Sequence, residues 1–150
     1  PGTGATQDQM IPKRHTIERS VNINRQGIKR PLEAGISLSG REQVAICGAV
    51  VAAKYYSIPV ILDGFVCTAA VLPIFFERKD MLDHCLIGHS SKEPGHKLLL
   101  KMLDKDPILN LNMALGEGSG AALATSIVKA ALKCHVEMAT FEDAGVSGKQ

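Results

Sequence analysis

The sequence has no tryptophan, and aromatic residues make up only 4% of its 150 positions. Its few cysteines are spread evenly along the chain and form no C-x-x-C pair, so neither a zinc knuckle nor a small disulfide scaffold is indicated. The simplest interpretation is that they are reduced, buried thiols of a cytoplasmic protein. These cysteines are Cys47, Cys67, Cys85 and Cys134.

The chain also lacks a long run of basic residues. Its formal net charge is +2, and the pairs Lys13-Arg14 and Lys29-Arg30 are too short to form a continuous basic surface. Proteins that follow a phosphate backbone concentrate such residues on one face. We therefore expect no nucleic-acid partner.

No segment resembles a membrane span. The one long apolar stretch, residues 58–76, contains Asp63 and two prolines. An unpaired acid inside a lipid bilayer would be costly, so we interpret this stretch as strand, loop and helix.

Length and composition fit one soluble globular domain. A chain of 150 residues with 45% hydrophobic and 21% charged residues can bury a sizeable core. It begins at Pro1 without methionine, which suggests a piece of a longer product or a processed form.

The first forty residues give few clear signals. We predict a polar helix weakened by Pro12 and then a connector over residues 22–40. A helix follows over residues 41–56, with Ser39 as its cap and one apolar face in the core. That face comprises Val44, Cys47, Gly48, Val51, Ala52 and Tyr55.

The rest of the chain alternates between strands and helices. Strands are predicted at residues 58–62, 84–88 and 108–112, and a helix over residues 66–76 lies between the first two. Ser91 and Pro94 open the next helix, and a last long helix follows residue 120. The core faces of these two helices are predicted to be Leu98, Leu99, Met102 and Leu103, and Leu123, Ile127, Ala130, Ala131 and Cys134.

The order β-α-β-α-β-α predicts an α/β fold with a parallel sheet between flanking helices. Ligands of such folds bind outside the carboxyl ends of the strands. We therefore expect three loops at one edge of the sheet: residues 63–65, residues 89–96 and the loop around Glu117. The open side of so small a sheet must be covered by the residues before Arg41 or by a second chain.

The loop Leu115-Gly116-Glu117-Gly118-Ser119-Gly120 connects the third strand to the last helix. Its spacing matches neither the dinucleotide fingerprint nor the Walker pattern, and a carboxylate would repel a phosphate. Glu117 is therefore a possible base, and the alternative is a helix cap that carries a solvated acid. Ser119 is a plausible N-cap.

Two other loops carry candidate binding residues. Asp63 either caps the helix after it or holds a ribose hydroxyl or a neighbouring loop. Ser90 and Ser91, with the free backbone N–H groups of the following helix start, form a better anion site than the glycine loop, although Glu93 counts against it.

The histidines do not indicate a metal. The spacings of His84, His89 and His96, with Cys85 nearby, match no common ligand pattern, and we expect neither a metal nor another cofactor. No Ser-His-Asp or Cys-His arrangement can be assigned from spacing.

Taken together, five segments resemble the carboxyl-terminal part of the nicotinate-nucleotide:dimethylbenzimidazole phosphoribosyltransferase family. They follow the family's order over nearly the whole chain. The segments are Gly2-Thr3-Gly4, Ile58-Pro59-Val60 with Asp63-Gly64-Phe65, His89-x-Ser91-x-Glu93-Pro94-Gly95-His96, Leu115 to Ala121, and Glu137-Met138-Ala139-Thr140-Phe141.

This resemblance implies a three-layer αβα, Rossmann-like large domain, a homodimer, and transfer of phosphoribosyl from nicotinate mononucleotide to 5,6-dimethylbenzimidazole. The products would be α-ribazole 5′-phosphate and nicotinate, in cobalamin biosynthesis and without a metal. It implies that Glu117 is the general base and that Ser91 and Lys13 contact phosphate. The other implied substrate-binding residues are Gly2, Thr3, Gly4, Asp63, Gly64, Ser90, Leu115, Gly116 and Gly118.

The chain departs from the family pattern in several places. Family members are about twice as long, and their amino-terminal half supplies a glycine-rich nucleotide loop and much of the base pocket. Ala114 stands where the family usually has arginine, Ser39 where it has glycine, and Val136 where it has asparagine. We therefore expect weak activity or none from this chain alone. The competing hypotheses are a non-catalytic nucleotide-binding, azole-binding or interaction module, and a related transferase with another acceptor.

Overall fold

The computed structural model describes residues 6–114 and 116–146. The sequence predictions for Gly2, Thr3, Gly4 and Leu115 lie outside these residues. A 3-10 turn over Lys79–Leu82 precedes the second strand. The other elements are α1 (Gln7–Asn24), α2 (Pro31–Leu38), α3 (Arg41–Tyr55), β1 (Val60–Leu62), α4 (Phe65–Ala70), α5 (Leu72–Glu77), β2 (Cys85–His89), α6 (Pro94–Leu103), β3 (Pro107–Leu109) and α7 (Ser119–Glu137).

The chain divides into two compact units. The first comprises residues 1–60 and 66–85, and the second comprises residues 61–65 and 86–150. The single domain predicted from composition stays a prediction. Among the described residues, no helix is long and apolar enough to cross a membrane.

In the first unit, α2 packs closely against α5. A Cβ built on Gly35 of α2 would lie 2.6 Å from Cγ of Pro73, so only a residue without a side chain fits there. Cys47 and Val50 of α3 and Ile74 of α5 are also buried. An apolar groove of about 260 Å³ remains between residues of α2, α3 and α5.

Three predictions for the first unit are wrong. Residues 22–40 contain α2, which starts with Pro31 at a first-turn position, while the Glu33 carboxylate accepts the backbone N–H groups of Lys29 (2.7 Å) and Arg30 (3.1 Å). Ser39 ends α2 instead of capping α3, because the N-cap of α3 is Gly40.

The third wrong prediction concerns the first helix, which runs unbroken through Pro12. A proline inside a helix removes one backbone hydrogen bond. After Pro12, side chains donate hydrogen bonds to backbone carbonyls one turn earlier in the helix. The Thr16 hydroxyl, for example, donates to the Pro12 carbonyl at 2.9 Å.

The second unit carries the sheet, apart from the first residue of β1 and of β2. The strand order is β1-β2-β3, and β2 and β3 are parallel, with Ile87 opposite Pro107 and His89 opposite Leu109. The predicted α/β class with a parallel sheet and flanking helices is confirmed. The third strand is shorter than predicted and ends at Leu109.

The helix predicted over residues 66–76 is two short helices, α4 and α5. Val71 lies between them, and Pro73 occupies the first turn of α5. A proline fits the first turn of a helix because the N–H it lacks would have no partner there.

The buried faces of the helices differ from the predicted ones. In α7, Gly120 and Ala124 are buried, whereas Leu123 and Ile127 are about half exposed and Cys134 is exposed. The reason is close packing, since a Cβ on Gly88 of β2 would lie 3.0 Å from the backbone of the first turn of α7. Small residues therefore face the sheet.

The other two predicted faces are partly right. In α6, Leu99 and Leu103 are buried, but Leu98 and Met102 are exposed. In α3, the buried residues are Cys47 and Val50, while the other apolar side chains are more exposed. The misassigned residues of α3 are Val44 and Val51, each more than a third exposed, and Tyr55, which is 82% exposed.

Candidate functional site

Loops from all three strands meet at one edge of the sheet in the second unit, as predicted. The His89 N–H donates to the Asp63 carbonyl at 3.2 Å, and the Ser90 N–H donates to the Leu109 carbonyl at 2.8 Å. The loop after β2 is also tied to the loop after β3, because the Lys92 N–H donates to the carbonyl of Met113.

Asp63 caps α7 from across the sheet edge. Its Oδ1 accepts the Ala121 N–H at 2.8 Å, and its Oδ2 accepts the Gly118 N–H at 3.3 Å. A negative charge is favourable at the positive end of a helix dipole. Of the alternatives for Asp63, the hold on a neighbouring loop is confirmed.

Ser119 is not the N-cap of α7. The N-cap is Gly118, which adopts the left-handed conformation with φ of 80°. A glycine reaches this conformation without steric cost, and the carboxylate of Asp63 replaces the hydroxyl that a serine cap would supply.

Glu117 lies at the tip of the glycine loop, directly before this cap. Its backbone is also left-handed, with φ of 53°, and the residue is exposed. A residue with a side chain pays roughly 1–2 kcal/mol for that conformation. Within the described ranges, no hydrogen bond or ion pair engages its carboxylate. The acid is therefore held in place through its backbone, and its side chain is available to a ligand.

The structure corrects one premise of the anion site predicted at Ser90 and Ser91, namely free backbone N–H groups in this loop, and the site itself stays a prediction. The backbone N–H groups of this loop are not free, because that of Ser91 donates to Nδ1 of His96 at 2.9 Å and that of Glu93 donates to the Ser91 hydroxyl oxygen at 3.2 Å. The N–H groups of Ser90 and Lys92 bond to carbonyls of the neighbouring strand and loop. Among the described residues, the hydroxyl groups of Ser90 and Ser91 remain as donors to an anion.

Two buried histidines stand beneath these loops. The residues His89 and His96 are 2% and 0% exposed, and their ring centroids lie 6.5 Å apart. Burial lowers the pKa of His96, the neighbouring His89 lowers it further, and Asp63 opposes this change. Since Nδ1 of His96 accepts a hydrogen bond, the neutral ring carries its proton on Nε2.

His89 fills the space between two backbone segments. A Cβ on Gly64 would lie 2.7 Å from its Nε2, and a Cβ on Gly120 would lie 2.0 Å from its Cδ2. Its Nδ1 is buried and has no hydrogen-bond partner among the residues described. From the sequence, His89 was considered only as a metal ligand and as part of a family motif, and this packing role was missed, although a histidine that ends a buried strand opposite two glycine-containing loops was a usable signal.

The described residues contain no group of three or more His, Cys, Asp or Glu side chains that could hold a metal ion. Gly116 has open space where a side chain would lie, so it does not require glycine for packing. Lys13 is an exposed residue of α1 in the first unit, and its phosphate contact stays a prediction.

Comparison with known proteins identifies relatives along the whole chain. Residues 1–146 match the phosphoribosyltransferase family. The nicotinate-nucleotide--dimethylbenzimidazole phosphoribosyltransferase of Brucella anthropi is 48% identical over 150 residues, which are 100% of this chain and 44% of that protein. The protein of that name from Rhizobium etli is 50% identical over 149 residues, which are 99% of this chain and 44% of that protein.

Solved structures agree with the sequence matches. The crystal structure of CobT from Thermus thermophilus superposes with a TM-score of 0.87 at 38% identity and covers 99% of this chain and 44% of that one. The chain thus spans less than half the length of the relatives it matches.

Proposed function

Because this chain belongs to the phosphoribosyltransferase family, we propose that it carries the general base of a phosphoribosyl-transfer site. The whole protein moves the phosphoribosyl group of nicotinate mononucleotide to 5,6-dimethylbenzimidazole. The names of the relatives from Brucella anthropi and Rhizobium etli support these two substrates.

The reaction needs one proton acceptor. A ring nitrogen of the benzimidazole forms a bond to the anomeric carbon of the ribose while the bond from that carbon to the nicotinate nitrogen breaks. The leaving nicotinate keeps the electron pair, and the proton on the other ring nitrogen passes to the Glu117 carboxylate. A positioned carboxylate typically contributes about 10²–10⁴-fold to such a step.

The observation that carries this proposal is that the Glu117 carboxylate has no partner within the described part of the chain while its loop is held in place. Its carboxylate is unpaired among the described residues, and its loop is fixed by the bonds of Asp63 to Gly118 and Ala121. A carboxylate used only for capping would instead accept hydrogen bonds from the helix N-terminus.

Substrate contacts complete the proposal. Ser91 offers its hydroxyl to the phosphate, with Lys13 as a cation. The loops around Asp63 and Gly118 lie near the ribose and the base. Ser90, Gly64, Gly116, Gly2, Thr3, Gly4 and Leu115 belong to the proposed substrate-binding set by family resemblance.

We also propose that the whole protein is a cytoplasmic homodimer. All four cysteines are free thiols, which supports a reducing compartment. Exposed apolar side chains along α7 support a contact surface. These are Leu123, Ile127, Leu132 and Val136, each at least 49% exposed.

The test measures nicotinate release from nicotinate mononucleotide plus dimethylbenzimidazole. The chain is assayed alone and together with the part of the Brucella anthropi relative that it does not match. Ala114 stands where the family usually has arginine, and the chain spans less than half of its relatives, so we expect little or no release by the chain alone.

In the combined sample, we expect Glu117→Gln to lower release by at least about 100-fold. Glu18→Gln, which removes an exposed acid from α1, is the matched control and should change nothing. Release that does not depend on Glu117 would refute its role as base.

The alternative is a binding or assembly module that keeps the fold without turnover. The exposed apolar face of α7 favours it. Binding of nicotinate mononucleotide by the combined sample, without Glu117-dependent release, would select this alternative.

A further inference from the structure

The His89 ring lies between the two backbone segments that form the cap of α7. Gly64 follows Asp63 directly, and Gly120 precedes Ala121, whose N–H donates to Asp63. Both glycines approach the same edge of the ring, Nε2 for Gly64 and Cδ2 for Gly120. The ring therefore sets how closely the segment that carries the Asp63 carboxylate and the helix can approach each other.

The same residue is tied to Asp63 through the backbone, because its N–H donates to the Asp63 carbonyl at 3.2 Å. One residue thus fixes both the end of β1 and the distance from β1 to the first turn of α7. Glu117 stands one residue before the Gly118 cap, so its place depends on this distance.

We propose that His89 is a positioning residue for phosphoribosyl transfer: its ring sets the Asp63 cap of α7 and thereby the place of the Glu117 carboxylate. This rests on the function proposed above. His89 touches neither the reacting atoms nor Glu117 in this proposal and acts through Asp63 and Gly118.

Core packing alone does not account for a histidine at this position. Its buried Nδ1 has no hydrogen-bond partner among the described residues, and such an atom is unfavourable compared with an apolar side chain of similar shape. The neighbouring His96 is different, because its Nδ1 is satisfied by the Ser91 N–H.

The first test uses amide hydrogen exchange at Ala121, which needs no turnover. Gly120→Ala places a methyl group against the ring, and we expect it to lower Ala121 protection by about tenfold, the loss of one hydrogen bond. His89→Ala should also lower it. In the His89→Ala background, Gly120→Ala should cause no further loss, because the space is then free.

Gly48→Ala is the matched control, since a Cβ on this helical glycine of α3 meets nothing within 4 Å. It should leave Ala121 protection unchanged. If His89→Ala prevents folding, Gly64→Ala provides the second route, because its methyl group pushes on Nε2 of the same ring. Unchanged Ala121 protection, or additive losses in the double variant, would overturn the proposal.

The second test uses nicotinate release by the combined sample. We expect His89→Ala to lower kcat by about tenfold or more, with KM for nicotinate mononucleotide nearly unchanged. In the Glu117→Gln background, His89→Ala should not lower kcat further, because His89 acts through Glu117. A further loss in that background would contradict the proposal.

The two tests separate the two claims. If the combined sample with the wild-type chain releases no nicotinate, the proposed function fails, while the exchange data still decide whether His89 sets the cap. If release depends on Glu117 but not on His89, the function stands and the positioning role is refuted.

Discussion

The cap that Asp63 provides to α7 leads to a quantitative prediction. Asp63→Ala removes the acceptor of two backbone N–H groups, those of Gly118 and Ala121. A hydrogen bond to a charged group contributes about 1.5–3 kcal/mol, and loss of an N-cap costs about 0.5–2 kcal/mol. The Gly118 bond is long and exposed, so most of the effect comes from Ala121.

We therefore expect Asp63→Ala to lower the free energy of unfolding by about 2 kcal/mol. Asp63→Asn keeps one amide oxygen for the Ala121 N–H, but it loses the charge at the helix N-terminus, worth about 0.3–1 kcal/mol, and also the second acceptor oxygen at the long, exposed Gly118 bond. The wild-type protein should be the most stable, Asp63→Asn less stable, and Asp63→Ala the least stable.

The assay is urea unfolding followed by far-ultraviolet circular dichroism, with amide exchange at Ala121 as the local probe. Asp106→Asn, at an exposed acid before β3, is the control and should stay within about 0.5 kcal/mol of wild type. A loss below about 0.5 kcal/mol for Asp63→Ala would refute the cap.

Three further predictions concern other parts of the chain. Gly35→Ala should destabilise the protein by about 1–3 kcal/mol in urea unfolding, because its methyl group would overlap the proline ring on α5. The Arg78 guanidinium bonds to Asp80 and holds the pKa of that carboxyl at about 2, below its ordinary 3.8. The stability that the pair adds is therefore present above pH 3.8 and lost as the pH falls towards 2. In Arg78→Ala, an NMR titration should show that the pKa of Asp80 rises towards 3.8. A thiol reagent at neutral pH should modify exposed Cys134 well before Cys47, because burial raises the pKa of Cys47; equal rates would contradict the assigned burial.

Secondary-structure elements that have a clear local sequence pattern could be predicted from the sequence. The strands before Asp63 and before Ser90 were found within two residues, because each is a short apolar run that ends at turn residues. The short helix α2 was missed because the features that stabilise it are not visible as helical periodicity. It rests on a proline at its start, a glutamate that bonds backward to Lys29 and Arg30, and close packing at Gly35.

Helix faces were harder to predict than helix positions. The large apolar residues of α7 marked a face that the structure leaves exposed, while the buried residues are Gly120 and Ala124. Hydrophobic periodicity cannot show that a backbone approaches another backbone closely, because the residues that permit this approach carry little hydrophobic signal.

The location of the candidate site could be predicted from the sequence, but the hydrogen bonds within it could not. Parallel topology placed the loops of Asp63, Ser91 and Glu117 at one edge. The bonds from Asp63 to Ala121 and the place of His89 join residues far apart in the sequence, so no local pattern encodes them. The backbone N–H group of Ser91 was expected to be free, but it donates to His96.

The most direct measurement of the central claim compares two variants of Glu117 in the combined sample, at saturating nicotinate mononucleotide and dimethylbenzimidazole. We predict that Glu117→Gln loses at least about 100-fold in nicotinate release, whereas Glu117→Asp keeps a carboxylate and retains measurably more activity. Equal activity in the two variants, or wild-type release by Glu117→Gln, would contradict the assignment of Glu117 as the base.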